Sequence, residues 1–137
     1  MYKSIMVPID FAHANDIQRG LNVACDLAQH YGAELCIVGV TATAPTFSAR
    51  SPREMATKLD ALAETLTDRH GIPVTTKTVI SHDPAVDLEE NLVTAAREMS
   101  ADLVVMSSHK PGIIDIFFAP HSITFAAHTE LSVFIVR

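Results

Sequence analysis

The chain has no tryptophan, two cysteines and only five glycines in 137 residues. Two cysteines cannot build a disulfide framework. Cys25 falls in a helical pattern and Cys36 in an apolar strand pattern, so both are expected as reduced core thiols. Few glycines and a 48% hydrophobic content exclude a disordered or low-complexity chain. No basic excess exists: ten Lys and Arg against sixteen Asp and Glu give a formal net charge of −6. Nucleic-acid binders carry a basic stripe, so no nucleic-acid partner is expected. No apolar run reaches membrane-spanning length, and Met1-Tyr2-Lys3 leads into the first strand without signal-peptide form. A cytoplasmic location without a membrane partner is the expectation. The common catalytic fingerprints are missing as well: there is no Gly-x-Ser-x-Gly elbow, no Walker loop and no Gly-x-Gly-x-x-Gly turn. No enzymatic activity is expected on these grounds, although slow nucleotide hydrolysis stays open.

What is present is a regular alternation of strand and helix. Ser4 to Pro8 is a short apolar strand that ends at Asp10. Ile17, Leu21, Ala24 and Ala28 recur at helical spacing, with Gly32 where a left-handed cap belongs. Leu35 to Val40 is apolar without alternation, as a strand covered on both faces requires. Thr41 to Arg50 reads as a loop. Ser51-Pro52-Arg53-Glu54 combines a capping box with proline at the first helical position. The helix it opens carries Met55, Leu59, Leu62 and Leu66 on one face and stops near Gly71 and Pro73. Val74 to Ile80 alternates like an edge strand with one solvated face.

Asp83-Pro84 repeats the cap-plus-proline signal ahead of Leu88, Leu92, Ala95 and Met99. The acidic run Asp87-Leu88-Glu89-Glu90 suits the first turns of that helix. Leu103 to Met106 is the fourth strand, Pro120 to His128 a short helix, and Ser132 to Val136 the fifth strand. One domain spanning 1–137 follows: α/β, a doubly wound, mainly parallel five-stranded sheet with helices on both faces.

The fourth strand is the most informative. Asp102-Leu-Val-Val-Met-Ser-Ser-His-Lys110 carries hydroxyls, an imidazole and an ammonium to the carboxyl edge of the sheet, where open α/β folds bind ligands. Ala119-Pro120-His121-Ser122 reads as a helix start, a place that favours anions. Asp10 reads equally as a cap or as a ligand contact. Val40 and Met106 are core candidates by side chain, and Lys110 is a solvated lysine or a phosphate ligand. His109, His121 and His128 form no metal-ligand spacing, so no metal is expected. A phosphoacceptor receiver shares the architecture, but here strand three ends in Ser81-His82-Asp83 and strand five lacks lysine.

The chain resembles the universal stress protein family over its whole length. The carrying residues are Val7-Pro8-Ile9-Asp10, Val38-Gly39-Val40, Ala101 to His109 and Ser132 to Arg137. The opening decapeptide and the Ser-His-Lys-Pro turn look closest to the small F- and G-type members. The resemblance implies a Rossmann-like fold of the adenine nucleotide alpha hydrolase kind, strand order 3-2-1-4-5, and a homodimer joined through strand five (Val133, Phe134, Ile135 and Val136). It implies an adenine-nucleotide pocket, with ATP as one candidate and no cofactor required. Asp10 matches the ribose or metal contact, Val40 the adenine contact, and Pro8 and Met106 their apolar neighbours.

The family's phosphate loop is Gly, two residues, Gly, nine residues, then Gly with Ser or Thr. Here Ser107 stands at the first glycine, Ser108 and His109 follow, and Lys110 stands at the second. Ala119-Pro120 replaces Gly-Ser, ahead of His121 and Ser122. Proline brings neither N–H nor hydroxyl, so two phosphate donors are lost together. At ~1.5–3 kcal/mol per hydrogen bond to a charged group, triphosphate binding is expected to weaken by ~10² or more.

Overall fold

The computed structural model describes residues 1–11, 14–42, 51–82, 84–107 and 129–136. Its elements run β1 (Ser4–Ile9), α1 (Ala14–Tyr31), β2 (Glu34–Ala42), α2 (Pro52–His70), β3 (Val74–Ser81), α3 (Pro84–Glu98), β4 (Leu103–Ser107) and β5 (Ser132–Val136). The five strands lie in the order β3-β2-β1-β4-β5, and every pairing is parallel. That order places β1 beside the point where the winding reverses, the crevice that open α/β sheets use for ligands. The helix of 120–128 expected from the sequence lies outside the described residues.

The helix ends form where local chemistry dictates. Ser51, in extended conformation, accepts the Glu54 N–H on its hydroxyl at 3.1 Å, with proline at the next position. Gly32 and Gly71 both adopt φ of +65°, and the Gly71 N–H donates to the Thr67 carbonyl at 2.8 Å. A side chain at either place would strain the left-handed turn.

Two cores sandwich the sheet. Ile5, Val7, Ile9, Leu35, Ile37 and Val105 pack beneath α1 and α2 with Leu21, Met55 and Leu59. On the opposite face Met6, Val38, Val104 and Met106 meet Leu88, Leu92 and Ala95 of α3. Gly39 has a packing reason. A Cβ there would come within 2.3 Å of Met55 Sδ and 3.0 Å of a Leu59 methyl, so its bareness lets α2 lie close on β2.

Several boundaries and faces differ from the sequence expectation. β2 continues through Thr41 and Ala42, residues expected in a loop, because β3 pairs with it as far as Ala42↔Ser81. Ala63 is buried on α2 while Leu62 is only half-buried, and Met99 lies just past the end of α3. β3 is an edge strand as expected, but it lacks one clean solvated face. α2 ties to it through Thr76 Oγ1, which donates to Asp60 Oδ1 at 2.8 Å, and α3 through the Lys77–Glu98 ion pair. Its Ile80 is left 50% exposed.

Candidate functional site

The site is built from where the strand ladders stop. Along a parallel strand, successive residues turn their N–H and C=O to opposite neighbours. The Glu34 N–H donates to the Lys3 carbonyl at 3.1 Å and the Leu35 N–H to the Pro73 carbonyl at 2.9 Å. Even-numbered residues of β2 therefore serve β1, and odd-numbered ones serve β3. The β1–β2 register ends at Ile9↔Gly39, whereas β2–β3 runs on to Ala42↔Ser81. Three residues of β2 thus project past β1. The Val40 carbonyl and the Ala42 N–H point to the side that β1 has vacated, an acceptor and a donor without a ladder partner among the described residues.

The other flank of β1 opens for a different reason. If odd residues of β1 face β2, then Ser4, Met6 and Pro8 face β4; the Ser4 carbonyl indeed accepts the Asp102 N–H at 2.9 Å. Proline has no N–H to give. The β1–β4 register covers only Ile5↔Leu103 and Met6↔Val104, while β4 stays paired with β5 as far as Ser107↔Val136. Pro8 therefore ends the ladder, and the end of β1 is unladdered toward β4 as β2 is toward β1.

Face alternation sorts the candidate residues. Met6, Val38, Val104 and Met106 belong to the α3 side, so Pro8, Val40 and Met106 share that face. Met106 is buried, and Pro8 and Val40 are half-buried. Ser107 lies on the opposite, α1 side, beside Gly20. Asp10 stands just past β1, half-buried and already engaged within its own chain. Phe11 follows it, with Lys58 Nζ over its ring at 5.5 Å. Ser108, His109, Lys110, Ala119, Pro120, His121 and Ser122 lie outside the described residues.

Sequence reasoning missed three contributors. Ala42 offers only backbone, which no side-chain pattern announces. Ser81 is fully buried at the end of β3, where its hydroxyl bonds to Asp87 in the first turn of α3. Gly20, in the middle of a helical stripe, was a visible but unused signal.

Neither cysteine adds chemistry. Burial, then the nearby Asp26 carboxylate, pushes the Cys25 thiol up from its ordinary 9.0 to about 11, with Arg69 pulling the other way. Burial also raises Cys36, whose Sγ lies 2.7 Å from Thr75 Oγ1. Thiols held protonated in this way are poor nucleophiles. Among the described residues no group of three or more His, Cys, Asp or Glu could hold a metal ion, and no helix is long and apolar enough to cross a membrane.

The sequence profile of the universal stress protein family matches residues 1–137. The chain belongs to that family. Solved universal stress proteins superpose along almost the whole chain. One from Burkholderia pseudomallei is 23% identical, with a TM-score of 0.72 over 98% of this chain and 96% of that one. A universal stress protein in complex with cAMP is 19% identical, with a TM-score of 0.67 over 99% and 97%. The universal stress protein from Archaeoglobus fulgidus in complex with dAMP is 15% identical, with a TM-score of 0.66 over 99% and 98%. These universal stress proteins share the Rossmann-like α/β fold with this chain.

Proposed function

We propose that this universal stress protein is a cytoplasmic stress-response regulatory module that binds an adenine nucleotide in the crevice past β1, without catalysing a reaction. One observation carries the reading: β2 outruns β1 by three residues, leaving the Val40 carbonyl and the Ala42 N–H on an open edge. An adenine offers the complementary pair, an exocyclic amine that donates and a neighbouring ring nitrogen that accepts. Pro8, Val40 and Met106 supply an apolar face for the ring. The dAMP and cAMP complexes of structural neighbours agree with that ligand class.

The ribose and phosphate end follows from the sequence. Asp10 matches the family's aspartate that contacts the ribose or a metal. Ser107, Lys110, Ala119 and Pro120 replace the glycines and hydroxyl of the family's phosphate loop, so a triphosphate is held weakly. Calorimetry on the purified chain is expected to show AMP or cAMP binding at least as tightly as ATP. Tight, magnesium-dependent ATP binding contradicts this and favours a slow hydrolase. The double substitution Ala119→Gly with Pro120→Ser is expected to raise ATP affinity by ~10². No shift in melting point with any adenine compound favours a ligand-free adaptor instead.

The module works as a homodimer through β5. Phe134 and Ile135 are 44% and 42% exposed on a strand that, among the described residues, is paired only by β4. An apolar edge of that kind invites another strand, and twofold antiparallel pairing of two copies covers it. Phe134→Asp is expected to turn the dimer into a monomer by sedimentation at micromolar concentration; an unchanged mass rules this interface out.

A further inference from the structure

Gly20 lies in the interior of α1 and is buried, a position where glycine costs about 1 kcal/mol relative to alanine. The reason is steric. A Cβ built on Gly20 would stand 2.0 Å from Ser107 Oγ and 3.4 Å from Ser107 Cβ. The bare backbone of α1 therefore rests directly on the side chain of the last β4 residue. Alternation along β4 agrees: Leu103 and Val105 enter the core beneath α1, whereas Val104 and Met106 enter the core beneath α3.

We propose that Gly20 is a positioning residue of the nucleotide crevice, receiving the Ser107 hydroxyl against α1 so that β4 presents Met106 to the ligand face. The inference rests on the adenine-nucleotide reading above and narrows it. With its hydroxyl turned into α1, Ser107 offers no donor to a phosphate chain. The β4 wall of the crevice is apolar, which suits a base with its ribose better than a polyphosphate. A methyl at position 20 forces either the hydroxyl to rotate or the helix to retreat, and both displace the end of β4. Removing the Ser107 side chain makes room for that methyl, so the two positions are coupled.

The experiment compares four full-length proteins: the parent, Gly20→Ala, Ser107→Gly and the double variant. Each is titrated with AMP well below its melting temperature, and the melting points are recorded. Gly20→Ala is expected to weaken AMP binding by roughly fivefold or more in the parent background, and by less than about twofold when it is added to Ser107→Gly. A lower melting point with unchanged AMP affinity in Gly20→Ala would make the contact a structural seat only and overturn the inference. So would additive effects without rescue. If Gly20→Ala does not fold, the double variant decides: recovery of fold and affinity together supports the role, and failure to recover refutes it. If the parent itself binds no AMP, the adenine reading fails separately. The melting points alone then show whether the two sites are coupled, rescue supporting the packing claim and additivity overturning it.

Discussion

At the amino-terminal end of the sheet the strands are cross-tied, and at the carboxyl end they part. Asp102 accepts the Lys3 N–H at 2.9 Å and the Ser4 N–H at 3.1 Å on its two carboxylate oxygens. The Ser4 hydroxyl donates to the Met99 carbonyl at 3.4 Å, and the Tyr2 hydroxyl donates to Ser132 Oγ at 2.9 Å. These bonds join the start of β1 to β4, to the turn after α3 and to β5. At the far end the β4 ladder on β1 stops at Met6 and the β2 ladder at Ile9. Among the described residues, polar ties cross-link β1 to β4 and β5 at the amino-terminal end, and the ladders of β1 stop early at the other. If the proposed crevice binds a nucleotide, stability and binding lie at opposite ends, and substitutions are expected to separate them.

The largest expected separation comes from the tied end. Asp102→Ala leaves two backbone N–H groups without their acceptor, a loss of about 2–3 kcal/mol in unfolding free energy. Urea denaturation measures this, and AMP affinity is expected to stay within about twofold of the parent because the crevice lies at the other end of the strands. A matching loss of affinity would mean that the two ends act as one unit. A smaller and opposite effect is expected at Pro8. Pro8→Ala returns an N–H that can extend the β1–β4 ladder and narrow the crevice. Stability is expected to change by less than about 1 kcal/mol, since the added hydrogen bond is offset by a freer unfolded chain. AMP affinity is expected to fall by roughly tenfold. Unchanged affinity would show that the parting of β1 from β4 is not needed by the ligand.

The sheet was legible in the sequence because its determinants are local or periodic. Leu35 to Val40 is apolar without interruption, Ser51-Pro52 caps α2, and Gly32 and Gly71 sit where only a left-handed residue fits. The strand order was not derivable from periodicity and came with the family resemblance. The site was half legible. Asp10 could be named from the end of a strand, Val40 and Met106 came with the family resemblance, and their division between faces follows from register. That division separates Met106 from Ser107. Ala42 escaped notice because its contribution is a backbone group, and its place in β2 depends on a partner, β3, about forty residues away in sequence. Pro8 carried a readable signal, since a proline inside a strand implies a missing ladder bond. The Gly20–Ser107 contact joins residues far apart in the chain and appears only when α1 is laid on β4.

The open edge of β2 is tested most directly by amide NMR during titration of the purified protein with AMP. The Ala42 amide is expected to move to lower field and gain protection from exchange, as an N–H does on acquiring a ring-nitrogen acceptor. The Lys3 and Ser4 amides, already held by Asp102, are expected not to move. AMP binding that leaves Ala42 unperturbed, or that shifts Lys3 and Ser4 instead, would contradict the account.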